Sequence, residues 1–193
     1  MVKKMQEEFY RLSNQSQAAF AKKLTPTNIA FLGIKIPQIK EFVKSHAITY
    51  DELYHIKLNQ YVEQDILFGL FLNKLGKVKN ELYYKTFLYF VKYLDNWMTC
   101  DTFVCNTQFK KNEYDKLLSI ITYILQQQPM EVRCGLILLK KYFIKELSFD
   151  EIFKMIEKLN MVDKRELHKS FNMGVGLVLV VDKNEAQDVV DYI

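Results

Sequence analysis

Trp97 and Asp101 are the residues of this chain best suited to chemistry on a cation. They stand four positions apart in Asp95-Asn96-Trp97-Met98-Thr99-Cys100-Asp101, an otherwise apolar stretch with helical patterning. Side chains at i and i+4 lie one above the other on a helix, so this segment offers an indole and a carboxylate on one face. The π face of tryptophan attracts positive charge, and the carboxylate adds a Coulomb attraction that grows as water is excluded. On spacing alone, a lone tryptophan in a helical chain is more often core, and a helical aspartate more often solvated, capping or paired, here with Arg133. The pair therefore gains meaning from the elements that position it.

Those elements read as helices separated by short breaks. Residues 3–12 and 15–24 form two short amphipathic stretches. Phe31-Leu32-Gly33-Ile34-Lys35-Ile36-Pro37 is a loop whose proline opens a third helix running to about Ser45. Val62, Ile66, Leu67, Leu70, Phe71 and Leu75 make a stripe of period 3.6 that ends near Gly76, and Tyr83, Phe87, Phe90, Val91 and Leu94 continue the pattern. Asn96 is placed to cap a short helix carrying Trp97 and Asp101. Tyr114 to Leu125, Val132 to Phe143 and Ile152 to Leu159 follow, with Gln126-Gln127-Gln128-Pro129 as a break. Val175 to Val181 reads as a buried helix, since a lone strand has no sheet to join.

The chain has 193 residues, 49% of them hydrophobic and 14% aromatic, which excludes a disordered protein and suffices for one sizeable core. Six glycines and three prolines are too few for the turns of a sandwich or barrel. Residues 1–193 are accordingly expected to form one all-α domain. The net charge of +4 permits a polyanionic partner without requiring one. The three cysteines, Cys100, Cys105 and Cys134, include no Cys-x-x-Cys pair, so buried free thiols are expected rather than disulfides or a metal site. His46, His55 and His168 lack ligand-spaced partners and read as surface or capping residues. No leader peptide or transmembrane segment is expected, which makes a reducing, cytoplasmic setting the default.

Helix pairs recur about every 35 to 45 residues, within the range of stacked helical repeats. Trp97 and Arg133 are 36 residues apart, and Arg133 and Leu177 are 44 apart, so all three could line one groove of an α-α superhelix.

Taken in order, several of these features resemble the AlkD-like DNA alkylation repair proteins, HEAT-like glycosylases that remove positively charged alkylated bases. The likeness is carried by Phe31 to Pro37, by Glu63-Gln64 opening a long apolar helix, by Trp97-x-x-x-Asp101, and by Glu131-Val132-Arg133 heading a helix that ends in Lys140-Lys141-Tyr142-Phe143-Ile144. The resemblance implies a concave basic groove that binds duplex DNA containing alkylated bases. Within it Trp97 lies against the sugar at the lesion, Asp101 faces the anomeric carbon and Arg133 holds a phosphate. It implies hydrolysis of the N-glycosyl bond of a cationic purine, such as a 7-methyl or 3-methyl purine, by a monomer with no metal or other cofactor. Lys35, Lys110, Lys111 and Lys140 are candidate backbone contacts, because neutralising phosphates releases counterions; for the lysine pairs, solvated helix ends are the equal alternative.

The chain departs from the family in two respects. Leu177 stands where a second tryptophan is usual, keeping apolar contact but offering a cation no π face. The chain also ends at Ile193, so the family's last helices are expected to be missing. Both departures favour the rival reading, a non-catalytic DNA-binding or scaffold relative.

Overall fold

The structure, a computed structural model, describes residues 2–144 and, further along, positions 151, 154, 158 and 187. The chain divides into two compact units, Met1–Glu146 and Leu147–Ile193. The helices described below all lie in the first unit, and the regular secondary structure of its described residues is entirely helical. Leu177 and the Ile152 to Leu159 and Val175 to Val181 readings lie outside the described residues.

The elements are α1 (Val2–Tyr10), α2 (Gln15–Leu24), α3 (Ile36–Ser45), α4 (Tyr50–Leu53), α5 (Val62–Leu75), α6 (Glu81–Val91), α7 (Trp97–Cys105), α8 (Tyr114–Ile124) and α9 (Pro129–Phe143). Their starts follow local chemistry. Asn14, Thr49, Asn80 and Asn96 each accept a backbone N–H from the first turn of the helix they precede. Proline opens α3 and α9, where a missing N–H costs nothing. The single turn α4 and a short 3-10 turn at Lys111–Glu113 lack any periodic stripe in the sequence.

Helices α3, α5, α7 and α9 pack side by side as a row, while α4 and α6 lie against α5 and α8 lies against α9. The centre is α5, eleven of whose fourteen residues are buried. Phe68 stacks on Phe90 at 4.9 Å between ring centroids, and Phe103 meets Phe87 and Phe90 at 5.1 and 4.9 Å. Each such ring removes apolar surface worth about 1.5–3 kcal/mol from water.

Long-range hydrogen bonds show that the row helices run parallel. The Lys74 ammonium, near the end of α5, donates to the carbonyls of Val43, Lys44 and His46 at the end of α3, at 2.6, 3.1 and 2.6 Å. Near the end of α9, Lys141 donates to the carbonyls of Val104, Cys105 and Thr107 at the end of α7, at 3.0, 2.9 and 2.6 Å. The acceptors fall in the same order and spacing both times, so one clamp is built twice. Lys141 is thus a strut whose ammonium is bonded to carbonyls, rather than the solvated helix end or phosphate contact read from the Lys140-Lys141 pair.

The Phe31–Pro37 loop is gripped from below. The buried Glu63 carboxylate accepts the Leu32 and Gly33 N–H groups, both at 2.8 Å, and Asn14 N–H donates to the Leu32 carbonyl at 2.8 Å. Gly33 has φ +77°, and its missing side chain leaves room for the backbone at the start of α2.

Asp65 closes the neighbouring turn by accepting the Asn59 N–H at 2.9 Å, while its other oxygen is buried without a partner. Burial pushes this carboxyl up to about 7; the Asn59 bond opposes the rise, and the Asp95 and Glu63 charges add to it. The folded chain therefore keeps a proton that the unfolded chain releases near pH 4. Stability from this group is full below pH 4 and falls as pH rises toward 7, by about 1.4 kcal/mol per pKa unit. Asp65→Asn, which mimics the protonated acid, is expected to gain about 1–3 kcal/mol over wild type at pH 8 and almost nothing at pH 4. Denaturant melts at the two pH values check this; an equal effect at both would count against a raised carboxyl.

Candidate functional site

Asn96 sets the position of the site. It is 2% exposed and its side chain caps α7 by accepting the Thr99 N–H at 3.0 Å, so Trp97 is the first helical residue. Just before it, the Asp95 carboxylate accepts the Thr27 hydroxyl, tying α7 to the segment ahead of α3. Trp97 is 39% exposed, a large apolar side chain left facing solvent rather than core. Asn96→Ala is expected to cost about 1 kcal/mol and to fray the turn that carries Trp97. Trp97 is the single tryptophan of the chain, so its emission should shift to the red before global unfolding; an unshifted spectrum would show that the cap does not hold it.

One turn beyond Trp97, Asp101 meets Arg133 of α9. Arg133 Nε donates to Asp101 Oδ1 at 2.8 Å and Nη2 donates to Oδ2 at 2.7 Å, a bidentate pair. The two side chains keep 32% and 42% of their surface exposed, so the pair sits at the solvent boundary. Hydrogen bonding to Asp101 raises the Arg133 pKa above the usual guanidinium value, against the opposing effect of burial. Behind the pair, Cys100 and Cys134 are fully buried and hydrogen-bonded to each other, and this bond with burial pushes the Cys134 thiol well up. These thiols pack α7 on α9 and are inert. Cys105 is exposed, against the expectation that all three thiols are buried.

The lysines divide. Lys35, just ahead of α3, lines a small cleft of about 110 Å3 with Phe20, Ile34, Glu63 and Met98, the residue after Trp97. Lys140 lies two turns along α9 from Arg133 and is exposed. Lys110 and Lys111 follow the far end of α7, the end opposite Trp97, and Lys110 N–H is held by Glu113 at 2.7 Å. Trp97, Asp101, Arg133 and Lys35 thus gather at the N-terminal ends of the row, and Lys110 and Lys111 do not join them. In the sequence Glu63 stands out only as part of the Glu63-Gln64 motif; its hold on the Phe31–Pro37 loop depends on the backbone N–H groups of Leu32 and Gly33, which no spacing reveals.

Two general properties bear on the chemistry. No helix among the described residues is long and apolar enough to cross a membrane. Among the same residues no cluster of three or more His, Cys, Asp or Glu is placed to hold a metal ion.

Comparison with known proteins gives two unlike results. Short segments match phosphoribosylformylglycinamidine cyclo-ligases: 42% identity over 38 residues with that of Pseudothermotoga lettingae, 20% of this chain and 11% of the relative. The enzyme of Finegoldia magna is 42% identical over 45 residues, 23% of this chain and 13% of the relative. That of Methanopyrus kandleri is 43% identical over 42 residues, 22% and 12% respectively. The chain therefore spans little more than a tenth of the curated relatives it matches. No solved structure gives a significant match. The family match, in contrast, runs over residues 5–180 and takes in the loop, the capped Trp97 helix and the Arg133 helix together: the chain belongs to the DNA alkylation repair enzyme family.

Proposed function

We propose that this protein is a DNA glycosylase that hydrolyses the N-glycosyl bond of a cationic alkylated purine in duplex DNA. The observation that carries this reading is the exposed Trp97 beside an Asp101 carboxylate held in fixed orientation by Arg133. When the bond between the anomeric carbon and the base nitrogen breaks, its electron pair leaves with the base and neutralises the alkylated ring. No general acid is then needed. Positive charge develops on the sugar as an oxocarbenium ion, and both the indole face and the carboxylate favour that charge. Water adds to the anomeric carbon and gives up a proton, for which Asp101 is the nearest suitable acceptor in this arrangement. Arg133, with donors left over from its pair with Asp101, is suited to a backbone phosphate. Lys35 and Lys140 are the further backbone contacts of this reading, joined more distantly by Lys110 and Lys111; Leu177 would supply apolar contact. Resident metal or organic cofactors have no step in it.

One observation favours the rival, a DNA-binding relative that does no chemistry: both Asp101 oxygens are already engaged by Arg133. Incubating excess protein with a duplex containing one N7-methylguanine, and measuring freed base alongside binding of the same duplex, separates the two. Base release supports the glycosylase; tight binding without release at any excess supports the rival.

A further inference from the structure

The C-terminal ends of α3, α5 and α7 enclose a second cleft, of about 490 Å3, at the other end of the row from Trp97. Lys40, Lys44, Lys74 and Lys77 line it together with Asn73 and Gln108, and no acidic side chain among the described residues does. Helix C-termini carry partial negative charge and should repel an anion. Here each is neutralised: Lys74 donates to the last carbonyls of α3, Lys79 to the Gly76 carbonyl after α5, and Lys141 to the carbonyls ending α7. With the carbonyls covered, the charges facing the cleft are those of Lys40, Lys44 and Lys77. Lys44 shares an exposed pair with Glu41 at 3.3 Å, which solvent weakens. Lys40 and Lys77 are exposed, and neither enters a hydrogen bond or ion pair among the described residues.

We propose that this cleft binds the phosphodiester backbone of duplex DNA, as a contact separate from the Trp97, Asp101 and Arg133 cluster. The proposal rests on the reading of the protein as DNA-binding and adds a second stretch of backbone contact to it. Asn106, on the cleft wall, follows Asp101 by five residues, about 7–8 Å along a helix at 1.5 Å per residue. The two ends of the row thus divide the work between lesion and flanking backbone.

The test is the salt dependence of binding to an undamaged duplex, followed by fluorescence anisotropy of a labelled strand from low to moderate potassium chloride. Neutralising one phosphate contributes a slope of about 0.9 in log affinity against log salt. The double variant Lys40→Gln, Lys77→Gln is expected to reduce the slope by nearly two and to lower affinity at least tenfold at low salt, with an unchanged melting temperature. Lys85→Gln, on α6 away from the cleft, is the control and should bind as wild type does. A double variant whose slope equals that of wild type overturns the proposal while leaving DNA binding intact. Wild type that binds no duplex at any salt concentration overturns the functional reading as well, so the two failures are distinguishable. A lysine effect seen with single strands but not with duplex also overturns it.

Discussion

Asp101→Asn is expected to slow release of N7-methylguanine from duplex DNA by about 10²- to 10³-fold, the cost of removing one preorganised charge from a site of developing charge, while lowering stability by only about 1 kcal/mol. The substitution keeps the shape and removes the anion. One of the two Arg133 hydrogen bonds then meets the amide nitrogen of Asn, itself a donor, so the bidentate pair is lost along with the attraction for an oxocarbenium ion. The stability cost is small because 32% of the Asp101 side chain and 42% of the Arg133 side chain remain exposed, and solvent screens the pair. Single-turnover base release and thermal melts on the same samples check both halves. If the pair were only a strut between α7 and α9, stability would fall and activity would track the folded fraction. Rate loss at full folding is the signature of the carboxylate's charge acting on the substrate.

The second large effect concerns folding. Gly33→Ala is expected to cost at least about 3 kcal/mol, enough to unfold a large share of molecules at moderate temperature. Gly33 sits at φ +77°, where a side chain is strained whatever space surrounds it. Space is also absent: a Cβ would stand 2.0 Å from the Asn14 carbonyl oxygen and 2.5 Å from the Ala18 nitrogen, both rigid backbone at the start of α2. Relief requires α2 to move, which breaks the Asn14 to Leu32 hydrogen bond, or the loop to move, which strips the Glu63 carboxylate of a donor in a buried site. Equilibrium denaturation measures the loss, and an alanine variant within 1 kcal/mol of wild type, a margin set by ordinary surface substitutions, would show that the loop tolerates displacement. Because the loop also carries Lys35, residual folded protein should bind DNA more weakly than wild type.

Most of the first unit's helices are legible in the sequence because amphipathic helices print their buried face at period 3.6, and because Pro37 and Asn96 mark where α3 and α7 start. The turn α4 leaves no such print, since four residues are too few to repeat anything. Trp97 and Asp101 are legible as a pair from their spacing of four. That Asp101 grips Arg133 was open as an alternative, because a partner 32 residues away is fixed by packing of α7 on α9 rather than by any local pattern. The basic cleft was not legible at all. Its lysines look like scattered surface charges until the row brings the ends of three helices together, and Lys74 looks no different from Lys77 although it is bonded to carbonyls and Lys77 is not.

The doubled lysine clamp bears on why internal repetition is so faint in this chain. A clamp that reads carbonyl oxygens uses groups every residue possesses, so the receiving helix end is free in its side chains: Val43, Lys44 and His46 accept in one copy, Val104, Cys105 and Thr107 in the other. One donor per interface holds two backbones in register. Duplicated helices built this way can diverge almost completely in composition while their spacing persists, and symmetry survives in the main chain after it has faded from the letters.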